Sequence, residues 1–217
     1  MENKKRESVL SAFEKMAKQY VDYFGDDWES KKEIEDFSSL FEPNSTIIDL
    51  GSGSGYITSF LKEKDLNAIG IDFSKVMTDI AQKRYPSIKF IYDDFLNLEN
   101  HFQESTIDGA ISIYSIYFIP KELVNDFLKH LSYVMKNNAK LFIITIIGEG
   151  EKTVITPLMK MNNIEESIYV NYYKKEQLIE ILNNNNFSVD YIKEASTIDD
   201  NDISQDGKYL ILATNKK

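Results

Sequence analysis

The chain has no cysteine in 217 residues, which excludes disulfide staples, thiolate metal sites and cysteine nucleophiles. Histidine is nearly as scarce: only His101 and His130 are present, so an imidazole base has few places to come from. Long apolar runs are missing too. Stretches such as 141–147 fall far below the roughly 20 residues that cross a bilayer, and the first residues are charged where a secretory leader would be apolar. The expected setting is cytoplasmic, with no membrane partner. Positive charge is in deficit, with 25 Lys and Arg against 35 Asp and Glu and a formal net charge of -10. Such a surface repels nucleic acid at long range, so no nucleic-acid partner is expected. The one dense basic cluster, Lys4-Lys5-Arg6, lies at the terminus and reads as a solvated tail without a function.

What is present is ordinary for a globular chain: 42% hydrophobic and 28% charged residues, with enough length for a substantial core in one domain. Val9, Leu10, Phe13, Met16, Ala17, Tyr20, Val21 and Phe24 recur at three- and four-residue intervals, which predicts a helix over 7–24 with Gly25 as its stop. A second helix over 28–40 and a turn at Pro43-Asn44 follow. Residues 1–43 thus read as an N-terminal helical appendage in front of a main domain over 44–217. There, strand-like runs at 46–50, 67–72, 88–92, 109–114 and 140–147 are mostly separated by helical stretches at 56–64, 75–84 and 121–135. Alternation of this kind predicts an α/β fold with a parallel sheet and crossover helices. The strand interiors are almost continuously apolar, as strands covered on both faces require. Near the end, a helix over 175–183 closes on Asn186 as a left-handed turn. Runs at 187–192 and 208–214, joined by a polar loop holding residues 199–202, predict an antiparallel hairpin.

The first strand-to-helix turn is where an open parallel sheet binds a nucleotide-like ligand. It reads Ile47-Ile48-Asp49-Leu50-Gly51-Ser52-Gly53-Ser54-Gly55, with glycines that let a ligand approach the backbone just before a helix N-terminus. By itself this pattern could equally be a tight turn. The dinucleotide fingerprint Gly-x-Gly-x-x-Gly would need glycine at position 56, and Tyr56 stands there. The second strand ends in Asp72, whose carboxylate can accept hydrogen bonds from both hydroxyls of a ribose. The third ends in Asp93-Asp94, one strand further out, suited to an exocyclic amine such as that of adenine.

With these residues in place, the chain resembles the class I S-adenosylmethionine-dependent methyltransferase family. The matching stretches are 47–55, 70–77, 90–98 and 107–120, within a resemblance running from about Ser45 to the end. It implies a Rossmann-like, seven-stranded, mostly parallel sheet with helices on both faces and a C-terminal antiparallel hairpin. It also implies that Asp49 and the backbone around Gly51, Ser52 and Gly53 hold the methionine portion of S-adenosylmethionine, with Asp72 on the ribose. Phe73 and Met77 would pack on the adenosine, Asp94 would take the adenine amine in preference to Asp93, and Phe95 would offer its amide to the ring. Backbone carbonyls of Tyr114 and Ser115 would orient the methionine amine. Tyr20 resembles a tyrosine that many members fold over the cofactor, and a core aromatic on an amphipathic helix is an equal alternative.

Two departures from the family pattern stand out. Ser52 replaces a common cysteine, and Phe118 stands where many relatives carry histidine, so no histidine base is borrowed from that motif. His101 and His130 read as structural. The expected activity is methyl transfer from S-adenosylmethionine to an O or N nucleophile of a small-molecule acceptor, without metal and with no catalytic residue assigned. The alternatives are a nicotinamide-dependent oxidoreductase on a similar fold and a non-catalytic S-adenosylmethionine-binding protein. Specificity is expected from the N-terminal helices and from an insertion over 148–173. Its Met159, Met161, Tyr169, Tyr172 and Tyr173 either line the site or pack beneath a lid.

Overall fold

The computed structural model describes residues 2–24, 30–196 and 207–217. Gly25, Trp28 and the loop at 199–202 lie outside the described residues. Two helices come first, α1 (Glu2–Phe24) and α2 (Lys31–Ser38). The alternating unit follows as β1 (Thr46–Leu50), α3 (Tyr56–Glu63), β2 (Asn67–Asp72), α4 (Lys75–Arg84), β3 (Lys89–Tyr92), β4 (Ile107–Ile113), α5 (Val124–Val134) and β5 (Met135–Ile146). The rest of the chain forms β6 (Gly150–Val154), α6 (Pro157–Met161), β7 (Ile168–Tyr172), α7 (Lys175–Asn184), β8 (Phe187–Ala195) and β9 (Lys208–Asn215).

Seven of these strands form one sheet in the order β3-β2-β1-β4-β5-β9-β8. The pairs among β1 to β5 are parallel, while β9 runs antiparallel to β5 and to β8, so the expected C-terminal hairpin closes the sheet. Asn44 and Asn186 adopt the left-handed conformation, with φ of 66° and 69°, at the turn and the helix end expected of them. The strand order reverses between β1 and β4, and a cleft opens there beyond the carboxyl ends.

Side-chain alternation sends neighbouring residues of β1 to opposite faces: Ile48 packs with Phe127, Leu131 and Ile143, and Ile47 with Ile34, Phe37, Leu61 and Phe142. Burying a side chain of this size is worth about 1.5–3 kcal/mol, so the two layers clamp the sheet from both sides. α2 belongs to the second layer, with Phe37 stacked on Phe142 at 5.5 Å. α1 lies elsewhere: Val9, Ala12 and Met16 pack with Leu158, Met159, Ile168 and Tyr169 of α6 and β7. The two leading helices therefore have separate places in the fold. Within 148–173, β6 and β7 form an antiparallel ribbon of their own, from Gly150 opposite Tyr172 to Val154 opposite Ile168. This ribbon carries α1 over the cleft.

Candidate functional site

Gly51 follows β1 with φ of +77°, and its amide donates to the Ile71 carbonyl at 2.9 Å. A Cβ placed on it would stand 2.5 Å from the Ser115 Cβ, so only glycine lets β1 and β4 come together here. Gly53, with φ of +51°, has no heavy atom within 4 Å of its Cβ position, which leaves its backbone open to the cleft. The Gly53 amide donates to Asp72 Oδ2 at 2.9 Å, and the Ser74 amide to Oδ1 at 2.8 Å. Asp72 is buried, and burial pushes its carboxyl up to about 6 against the pull of the two amides. This carboxylate is fixed by the backbone while lining the cleft.

Nine of the twelve expected residues line this one cleft: Tyr20, Gly51, Gly53, Asp72, Phe73, Met77, Phe95, Tyr114 and Ser115. Tyr114 holds a φ of +52°, an uncommon conformation for an aromatic residue, at the end of β4. The Ser115 hydroxyl donates to the Leu50 carbonyl at 2.6 Å, fastening the two strand ends to each other. Asp49, Ser52 and Asp94 are placed differently. The Asp49 carboxylate is buried beside α3, accepts from Thr58 Oγ1 at 2.7 Å, and is raised to about 7 by that burial. Ser52 turns its hydroxyl toward Gly70. Asp94 caps the 3-10 turn after β3 by accepting from the Leu96 amide at 2.9 Å, and its other oxygen pairs with the Arg6 guanidinium. Asp93 faces Asn97 and His101, at 2.9 and 2.6 Å.

The opposite wall comes from α1. Arg6, Val9 and Phe13 line the cleft with Tyr20, and Phe118 completes the wall. Phe13 meets Phe118 edge-on at 5.2 Å and Tyr20 at 5.8 Å. Burial, aided by the Asp72 charge, pushes the Tyr20 hydroxyl up to about 12, so it stays neutral. Intervals of three, four and seven residues put Arg6, Val9, Phe13 and Tyr20 on one helix face, a signal that marks the face but not what it meets. The basic cluster is no frayed tail: Lys5 pairs with Glu122 at 2.8 Å and with Glu151 at 2.5 Å, and Arg6 lies over the Phe73 ring at 5.5 Å. Further along α1, Ser11 donates to Glu166 at 3.0 Å and Lys15 pairs with the same carboxylate.

Of the insertion residues, Met159, Tyr169 and Tyr172 pack in the apolar cluster behind this wall. Met159, Tyr169 and Tyr173 are buried, Tyr172 stacks on Tyr117 at 6.2 Å, and Met161 is exposed. His130 hydrogen-bonds Glu99 at 2.5 Å, and neither histidine lines the cleft. Among the described residues no group of three or more acidic, histidine or cysteine side chains is arranged to hold a metal. The sheet wall offers groups that could hold S-adenosylmethionine: a fixed carboxylate that could accept vicinal hydroxyls, open glycine backbone that could take an amino-acid tail, and Phe73, Met77 and Phe95 as apolar surface for a flat ring.

Comparison with known proteins agrees. Residues 47–138 match the family described as a methyltransferase domain. A methyltransferase-named protein of Invertebrate iridescent virus 6 is 31% identical over 132 residues, covering 59% of this chain and 48% of that protein. The chain thus spans about half the length of that relative. In fold it is similar to the 1,6-didemethyltoxoflavin-N1-methyltransferase of Burkholderia thailandensis, solved with 1,6-didemethyltoxoflavin and S-adenosylhomocysteine bound. The TM-score is 0.76 at 12% identity, covering 100% of this chain and 91% of that one. It is also similar to the magnesium protoporphyrin IX methyltransferase of Synechocystis, with a TM-score of 0.72 at 17% identity over 98% and 100% of the two chains. The strand order, the glycine loop with its carboxylate, and these matches together make residues 47–138 similar to a methyltransferase domain, in a chain whose fold is shared with S-adenosylmethionine-dependent methyltransferases.

Proposed function

We infer that this cleft binds S-adenosylmethionine and delivers its methyl group to an oxygen or nitrogen of a small, partly apolar acceptor. The observation that carries this reading is the Asp72 carboxylate, held by the Gly53 and Ser74 amides at the rim of an open glycine backbone. In it, Asp72 accepts from the ribose hydroxyls, and Phe73, Met77 and Phe95 enclose the adenine. The backbone of Gly51, Gly53, Tyr114 and Ser115 receives the methionine portion. Asp49 and Ser52 serve by shaping the loop from behind. That the Burkholderia thailandensis enzyme of similar fold was solved with S-adenosylhomocysteine bound supports the assignment.

Bound there, the cofactor supplies a methyl group on a positively charged sulfur, activated for transfer. The chain's own part is to align the acceptor and keep water out. Phe13, Tyr20 and Phe118 form an aromatic wall facing the glycine loop, and such a wall takes a planar or apolar acceptor better than an anionic one. No histidine faces the cleft, and both Asp72 oxygens are already engaged. An acceptor that gives up its proton readily to water therefore suits this site better than one needing a strong base. The deficit of positive charge supports a small molecule over nucleic acid.

The test is turnover: S-adenosylhomocysteine formation is followed with panels of phenols, amines and carboxylates. Acceptor-dependent product above the cofactor-only rate is the expected result, strongest with neutral aromatic phenols or amines. The missing base gives one observation in favour of a non-catalytic binding protein, and cofactor binding with no turnover across all three panels would favour that reading.

A further inference from the structure

Arg6 stands where the proposed cofactor reading puts the adenine ring. Its guanidinium is paired with Asp94 and lies over the Phe73 ring at 5.5 Å. The Arg6 and Asp94 side chains are only 18% and 20% exposed, so this is not an open surface pair. A guanidinium and an adenine offer this corner the same two things: a flat face for the aromatic ring and N–H donors for the carboxylate. Beside Arg6 the cleft keeps a free volume of about 60 Å³. A water needs roughly 10–15 Å³ on that scale, so the remaining space suits a few waters and not a nucleoside. α1 is held in this position by the Lys5 contacts to Glu122 and Glu151 and the Lys15 contact to Glu166.

We propose that Arg6 is a built-in stand-in for the adenine ring, which fills the adenine corner in the free protein and must leave Asp94 and Phe73 when an adenosine-type ligand binds. The proposal rests on the cofactor reading of the cleft and adds an internal competitor to it. Binding is then weakened by the fraction of molecules in which Arg6 holds the corner. It also acquires a salt dependence opposite to the usual one. The Arg6–Asp94 pair weakens as salt screens it, while an uncharged adenine contact does not.

The experiment is calorimetric titration of S-adenosylhomocysteine into the intact chain, its Arg6→Gln variant and its Lys15→Gln variant. Folding of each is checked by circular dichroism. Gln at position 6 keeps helix propensity while removing the charge and most of the flat face. Arg6→Gln is expected to bind tighter, on the order of tenfold. Raising salt from about 0.1 to about 1 M should narrow that gap by tightening the wild type. Lys15→Gln loosens the same helix without vacating the adenine corner, and its affinity should stay within about twofold of wild type.

Equal affinity of Arg6→Gln and wild type would overturn the proposal, and weaker binding by Arg6→Gln would make Arg6 a holder of the cofactor instead. Equal tightening in both variants would make α1 a general cover with no adenine mimicry. Folded wild type and Arg6→Gln that both ignore S-adenosylhomocysteine would sink the cofactor reading itself, and this proposal with it. That result is distinct from binding with equal affinity.

Discussion

The two walls of the cleft are held by different forces. The sheet wall is backbone and buried hydrogen bonds: Gly51 is wedged against Ser115, Asp72 is gripped by two amides, and Ser115 is bonded to Leu50. Breaking such contacts leaves buried polar groups unpaired, at a cost of about 1–3 kcal/mol each. The helix wall hangs on apolar packing against β7 and α6 and on ion pairs such as Lys15–Glu166, whose side chains are 56% and 34% exposed. Exposed pairs of that kind contribute only about 0–1 kcal/mol. One wall is thus set before any ligand arrives, and the other can shift without unfolding the sheet.

This contrast is most easily broken at the two glycines. Gly51→Ala puts a Cβ against Ser115 at a positive φ, and a loss of about 2–4 kcal/mol in denaturant stability is expected. Gly53→Ala meets no protein atom, so its stability loss should be smaller, about 1 kcal/mol from backbone conformation alone. Its main effect should be on cofactor affinity. Equal stability losses in the two variants would mean that the sheet wall is not wedged as described.

Next in size is Asp72→Ala. Losing charge-assisted bonds to the ribose should weaken S-adenosylhomocysteine roughly 10- to 100-fold by calorimetry, with circular dichroism unchanged. Unchanged affinity would remove Asp72 from the site. Its titration adds a signed test. Burial lifts Asp72 to about 6 and Asp49 to about 7 in the folded chain, whereas the unfolded chain releases these protons at roughly 4. Between those limits the folded state holds more protons, so these two groups make the ligand-free protein less stable as pH rises from about 4 to about 7. On the proposed reading, cofactor affinity should run the other way, because a charged Asp72 carboxylate accepts hydroxyls better than a protonated one. Denaturant midpoints and titrations at pH 5.5 and 8, compared between wild type and Asp72→Ala, should show both signs.

Smaller effects belong to the helix wall. Phe118→Ala removes the aromatic partner of Phe13 and should raise the KM for the acceptor about three- to tenfold while leaving cofactor affinity nearly constant. A change in cofactor affinity of the same size would place Phe118 on the other side of the cleft. The smallest is Glu151→Gln, which weakens the Lys5 tether and the contact from the Tyr169 hydroxyl. Less than about 1 kcal/mol of stability should be lost, and less still at high salt.

The same contrast explains what was legible in the sequence. The sheet wall is local: a strand, its glycine turn and a carboxylate at the next strand end sit within about 25 residues, and their spacing alone brings Gly51, Gly53 and Asp72 together. The alternating strands and helices and the C-terminal hairpin were legible for the same reason. The helix wall is not local. Lys5 finds its partners 117 and 146 residues away, so the basic cluster looks solvated until α1 folds back across the strand ends. Asp94 was expected to wait for adenine, and its pairing with Arg6 depends on that same fold-back. The β6–β7 ribbon escaped because residues 150–153 are exposed and largely polar, without the apolar alternation that marks a strand.

The central claim is that this cleft is built for S-adenosylmethionine and not for a nicotinamide dinucleotide. Thermal unfolding with S-adenosylhomocysteine and with NAD tests it most directly. At 100 times its dissociation constant, S-adenosylhomocysteine should stabilise the chain by about 2.7 kcal/mol, with NAD leaving the transition in place. A shift with NAD and none with S-adenosylhomocysteine would contradict it.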